Sequence, residues 1–314
     1  MLSRRYLRIK VMQALYAFFQ SGHNDLARGE KEMFHAIGKI YDMYHFLLRL
    51  LVEIRVAALR AADEAKLKHR PTQNDLNPNP RFIDNRVLLL LEKNRQLGAY
   101  CEKHKISWTE EGELVRKILA SIRNSPEYEK YLAAPSSFDN DKAFILTAYK
   151  NHIADYELLE HFFEEKSIFW VDDIGLVNAC VLKTIEAINE NDDGHMALLP
   201  LYKNEEEDTA FARELFHQTV LRNEENEKLI GNKTKNWEVE RIAMMDVLLM
   251  KMGISELLHF HSIPVKVTLN EYIEISKMFS TPKSKIFING ILDKLVQDFR
   301  RDDRMRKTGR GLIE

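Results

Sequence analysis

Asp246-Val247-Leu248-Leu249-Met250-Lys251-Met252-Gly253-Ile254-Ser255-Glu256-Leu257-Leu258 is the stretch on which the fold reading turns. It falls in a helix predicted over about 237–259, and Pro264 stops the chain after His261. Thr268-Leu269-Asn270-Glu271 then reads as a capping box, in which the Thr hydroxyl caps a new helix and Glu271 reaches back three residues. Thr281-Pro282 opens the next helix, with Thr at the N-cap and Pro at the first helical position, where its missing N–H costs nothing. After that helix, residues 300–310 carry Arg300, Arg301, Arg304, Arg306, Lys307 and Arg310 against two Asp, which predicts a fraying basic tail.

The same helix-break-helix pattern runs toward the N-terminus. Helical patterns cover about 208–222 and 224–231, preceded by a break from Asn189 to Asp208 with an acidic run at Glu205 to Asp208. Others cover about 172–190, 139–165, 108–123 and 83–104. Between His69 and Arg81 three prolines and three asparagines forbid regular structure. A long helix is predicted from Gly29 to Lys68, with Met33, Ile37, Ile40, Tyr44, Leu47, Leu51, Ile54 and Ala58 on one stripe. Residues 2–20 form the first helix, with Leu7, Val11, Leu15 and Phe18 at spacings of three and four. There is no internal repeat, and Gly (12) and Pro (8) are too few for many short strands. The class is all-α, and 314 residues suffice for about two domains.

The charge balance of 46 basic against 48 acidic side chains excludes a uniformly basic nucleic-acid coat, but not a local patch. Cys101 and Cys180 stand apart with no CxxC partner, which excludes a disulfide scaffold and a thiolate zinc module. No apolar run is long enough to span a membrane. Arg8, Lys10 and Gln13 interrupt the only stretch resembling a signal peptide, and the expected location is the cytoplasm.

Catalytic signatures are missing. There is no GxSxG, Walker loop or GxGxxG, so no enzyme activity and no cofactor is expected. His259 and His261 are two apart and do not share a helix face, so no metal site is assigned. Asn189-x-Asn191-x-Asp193-Gly194 begins like a calcium loop, but Pro200 stands where the bidentate Glu belongs.

Arg4, Arg5 and Arg8 fall within an arc of about 100° on the first helix, overlapping the sector of Val11 and Leu15. One side of the helix thus changes from guanidinium to aliphatic. The aliphatic half can pack into a bundle while the arginines project past its end, suited to phosphates and unpaired bases. The other reading is an ordinary solvated helix start. Three cations at a helix N-terminus are locally unfavourable, and something acidic would offset that.

The opening stretch, with Trp237-Glu238-Val239-Glu240-Arg241-Ile242 before it, continues through Ile263-Pro264-Val265-Lys266-Val267 and Leu269-Asn270-Glu271-Tyr272-Ile273 to Phe287-Ile288-Asn289-Gly290-Ile291-Leu292-Asp293. This order and spacing resemble the C-terminal half of the NusB family of transcription antitermination factors. Arg4-Arg5, Arg8 and Gln13-Ala14-Leu15-Tyr16 are similar to that family's arginine-rich first helix. Lys251, Gly253 and Tyr272 depart from the pattern, which usually has Arg, Ala and Ala there. The resemblance divides the chain into a first helix at 1–25, a helical insertion or expanded N-terminal subdomain at 26–204, a C-terminal helical domain at 205–299 and a tail at 300–314. Within the last helix, Gly290 is read as a point where another helix comes close, and Asp246, Glu256 and Asp293 as buried polar partners or caps.

The resemblance implies two packed helical subdomains, with the extra helices added to them. It implies binding of boxA-type single-stranded RNA together with ribosomal protein NusE, inside an antitermination complex on RNA polymerase that serves ribosomal RNA operons. It assigns Arg4, Arg5, Arg8 and Lys266 to RNA, and Tyr16 and Ser262 to surfaces near RNA or the protein partner. For Tyr16 a place in the core is the competing reading. Two other functions stay open: a scaffold acting through protein contacts alone, and a module related to ribosomal RNA methyltransferases.

Overall fold

The computed structural model describes residues 1–22, 24–234 and 243–312. Trp237 to Ile242, quoted above, lie outside them, as does the start of the helix expected at 237–259. Among the described residues the regular structure is helical, with no strand. The chain divides into two compact units, residues 1–37 with 202–314, and residues 38–201.

The first unit holds α1 (Arg4–Ser21), the start of α2 (Leu26–Lys66), α11 (Glu205–Leu221), α12 (Asn223–Lys233), α13 (Met244–His259), α14 (Val265–Phe279) and α15 (Ser284–Arg301). α13 packs against α1, α11, α12, α14 and α15, so eleven of its sixteen residues are buried. That explains its composition, because a helix surrounded by neighbours has no wet face to make polar. Leu7, Val11 and Leu15 of α1 meet this core fully buried, each contributing roughly 1.5–3 kcal/mol. A Cβ at Gly253 would sit 3.1 Å from Leu292 Cδ1 and 3.4 Å from Tyr272 Cδ2, so α15 and α14 both press on α13 at this glycine. Gly290, expected to be such a crossing point, has nothing within 4 Å of an added Cβ and faces open space.

The second unit holds the rest of α2 with α3 (Gln73–Leu76), α4 (Arg86–Lys93), α5 (Arg95–His104), α6 (Gly112–Arg123), α7 (Pro126–Ala133), α8 (Phe138–His152), α9 (Glu157–Lys166) and α10 (Ile174–Ala187). All eight stripe positions predicted on α2 are buried. α8 packs on α4, α6, α7 and α10. Trp108 donates its indole N–H to Phe46 O at 2.9 Å and Trp170 to Lys39 O at 2.6 Å, anchoring an aromatic cluster with Phe163 along α2.

Several boundaries differ from expectation for local reasons. The Pro/Asn-rich loop contains α3, held by a reciprocal cap between Thr72 and Asp75. The helix expected at 83–104 breaks at Asn94, whose side chain accepts from Leu97 N at 2.8 Å and starts α5. The stretch at 139–165 is two helices separated at 153–156, and α7 precedes them. α14 begins at Val265 after Pro264, so Thr268 and Glu271 lie inside it and form no capping box. α15 begins at Ser284, three residues past Thr281.

The tail does not fray. α15 ends with Asp303 at φ 51°, letting Arg304 N donate to Phe299 O at 2.9 Å and Asp303 N to Arg300 O at 3.4 Å, a Schellman-type stop. Beyond it Lys307 Nζ donates to Phe260 O at 2.9 Å and Thr308 N to His261 O at 3.0 Å, which straps the tail across the α13–α14 linker.

Candidate nucleic-acid interface

Ser3 opens α1 by accepting from Tyr6 N, and the first turn then faces an open groove of about 1220 Å³ within the first unit. Arg4, Arg5, Phe211, Ser262, Glu271 and Arg310 are among its lining residues. The three arginines of α1 share this groove but not one role.

Arg8 is buried, with its side chain 2% exposed. Its Nε and Nη2 each donate to Glu256 at 2.7 Å, and Glu256 is itself fully buried. Thr268 Oγ1 donates to the same carboxylate at 2.8 Å and Tyr272 OH at 3.1 Å, so both oxygens are saturated. A buried carboxylate and guanidinium persist only when paired and hydrogen-bonded this completely. Burial acts against the Arg8 charge, but the attraction and hydrogen bonds of Glu256 outweigh it, holding the guanidinium firmly protonated. Burial together with Glu256 pushes the Tyr272 phenol well above its ordinary range. The expected picture of three projecting arginines is corrected here: one is an internal tie between α1, α13 and α14.

Arg5 is 41% exposed and meets Glu271 through Nε and Nη2, both at 2.9 Å. That hydrogen-bonded pairing raises its pKa against a smaller desolvation effect. Arg4, 38% exposed, lies 3.1 Å from Asp208 through Nε and 4.4 Å above the Phe211 ring. Asp208 is buried and also accepts from Lys203 N and Asn204 N, so the acidic start of α11 is fixed in place. The acidic offset that a cationic helix start needs is therefore supplied by this chain, from α11 and α14.

The remaining site candidates fall elsewhere. Ser262 is exposed in the linker and lines the same groove as Arg4 and Arg5. Lys266 is exposed but lines a second groove beside the tail. Tyr16 is 41% exposed and not in the core. It lies on α1 about 18 Å along the axis from Arg4. Glu256 and Phe211 complete the site without having been singled out for it, because their partners in α1 are some 200 or more residues away in sequence, and Arg310 lines the same groove.

Other titratable groups are structural. Cys101 and Cys180 are buried free thiols, and burial pushes Cys101 up to about 11. The calcium-like loop uses its own oxygens internally: Asp192 accepts from Asn189 N at 2.7 Å and Asp193 from His195 N at 2.8 Å. Among the described residues, no three His, Cys, Asp or Glu side chains gather as a metal group. No helix among them is long and apolar enough to cross a membrane.

Comparison with known proteins bears on part of this region, from α11 to α15. The NusB family model matches residues 177–297. The transcription antitermination protein NusB of Salinibacter ruber is 42% identical over 139 residues, covering 42% of this chain and 86% of that protein. Its namesake in Chloroherpeton thalassium is 42% identical over 85 residues, 27% of this chain and 40% of that protein. That of Koribacter versatilis is 39% identical over 94 residues, 30% and 64% respectively. No solved structure matches.

Proposed function

This chain belongs to the NusB family, and from that membership we propose that it is a transcription antitermination factor that binds boxA-type single-stranded RNA with ribosomal protein NusE. It acts in the complex on RNA polymerase, notably in ribosomal RNA operons, in the cytoplasm. The observation that carries the RNA reading is the shared groove of Arg4, Arg5 and Ser262 at the head of α1. The function is recognition, with no catalytic step and no cofactor.

In this reading Arg4 and Arg5 are the contacts and Arg8 is a positioning residue. The Arg8–Glu256 tie holds α1 against α13 and α14, which fixes where the two outer guanidiniums stand. A phosphate that reaches Arg5 takes over the fork now offered to Glu271, exchanging one bidentate acceptor for another. Selectivity then comes from stacking and edge hydrogen bonds to unpaired bases. Tyr16 and Ser262 are assigned to surfaces near RNA or the protein partner.

The test is a titration of labelled boxA RNA, with and without NusE, across a range of salt. Arg4→Ala and Arg5→Ala should each weaken binding and flatten the salt slope by about 0.7 for a single strand. Unchanged affinity and slope in both variants sink the contact assignment. The pairing of every α1 arginine with a carboxylate favours a second reading, a scaffold working through protein alone. Capture of NusE or polymerase that survives RNase supports that reading.

A further inference from the structure

A second groove of the first unit, about 710 Å³, has a different charge state from the first. In the first groove the α1 cations are already neutralised by Asp208, Glu271 and Glu256. The second is lined by Lys266, Arg300, Arg306 and Lys307, against Asp293 and Asp303. Lys266 and Arg306 are exposed and, among the described residues, carry no ion pair. Asp293 spends an oxygen on Asn289 Nδ2 at 3.0 Å. The floor is aliphatic, from Val265, Leu269 and Val296.

This groove is built, because the tail that forms one wall is fixed. The turn at Asp303 and the bonds from Lys307 and Thr308 to the α13–α14 linker hold Arg306 in position. The two grooves also share their dividing wall. Arg310 faces the first, while Arg306 and Leu312 face the second. At the start of α14, Pro264 and Val267 face the first and Val265 and Lys266 the second.

We propose that the second groove is a sequence-independent site for the RNA sugar–phosphate backbone, taking the strand where it leaves the first groove. The proposal rests on the RNA reading above, and it adds the C-terminal tail as part of the binding surface. Arg306 supplies a planar fork and Lys266 a point charge for successive phosphates. The aliphatic floor carries no aromatic platform, so base identity is not read there.

The test compares, on the full chain, a boxA-type RNA, the same RNA with a uridine tail at either end, and oligouridine alone. On wild type, one of the tailed RNAs should bind several-fold tighter than the untailed one, with a salt slope steeper by about 1.4 for two phosphates. Oligouridine should bind weakly. Lys266→Ala/Arg306→Ala should abolish the gain from the tail and the oligouridine binding, so that the variant binds tailed and untailed RNA alike. A tail that adds nothing on wild type overturns the proposal and leaves the first-groove reading standing. Tail and oligouridine binding that the double variant does not change also overturns it. Poly-glutamate that binds wild type but not the double variant, with no gain from either RNA tail, assigns the groove to an acidic protein segment instead. If untailed RNA fails to bind but oligouridine binds through Lys266 and Arg306, the first-groove reading falls and this site stands.

Discussion

A single guanidinium shows how charge is spent in this molecule. Arg8 looks on a helical wheel like Arg4 and Arg5, yet it is buried and forked onto Glu256, whose carboxylate also accepts from Thr268 and Tyr272. Replacing Glu256 with Leu leaves the buried Arg8 charge with only Glu271, 3.7 Å from its Nη1, to face it, and should cost about 3–5 kcal/mol in urea unfolding. Adding Arg8→Met to that variant should recover most of the loss, because two apolar side chains of similar volume need no partner. A double variant no better than the single one contradicts this account. Glu256 was legible as a buried polar partner, but its partner was not. The pair is separated by 248 positions, and no local pattern encodes such a contact.

Helices were legible where their own period marks them and blurred where a distant group decides. The stripe on α2 is buried at every predicted position, because a 3.6-residue apolar repeat needs only one partner surface. The Thr268–Glu271 box failed for the opposite reason: Thr268 serves Glu256 and Glu271 serves Arg5, so neither caps α14. Ser284 likewise donates to Asp246 at 2.7 Å, which draws the start of α15 past Thr281. Two of the helical glycines, Gly290 and Gly253, separate local cost from packing need. Gly290→Ala should stabilise by about 1 kcal/mol in thermal or urea unfolding, since helix propensity is gained in open space. Gly253→Ala should gain less or lose, because its Cβ must displace Leu292. Equal gains at both positions contradict the packing role of Gly253.

At the scale of the whole molecule, the two units answer to different chemistry. His45 of the second unit is fully buried, donates its Nδ1–H to Tyr41 O at 2.7 Å, and stacks on Tyr100 at 3.7 Å. Its Nε2 has no hydrogen-bond partner, so a second proton has nothing to meet. Burial lowers its pKa from 6.5 to about 4. The unfolded chain therefore binds that proton first, and the stability is present above about 6.5 and drains as pH falls toward about 4. Melting followed by tryptophan fluorescence should show that acid limb, and His45→Phe should flatten it. An unaltered pH profile in the variant assigns the limb to other groups. The sequence by itself determined the helical class, the long α2, the family likeness of the C-terminal part and the missing catalytic signatures, since each is written in neighbouring residues. Only the tertiary structure decided which arginines stay outside, that the basic tail is strapped to the α13–α14 linker, and which glycine marks a helix crossing. Those outcomes depend on groups that folding brings together from opposite ends of the chain, and charge, burial and close approach are settled only there.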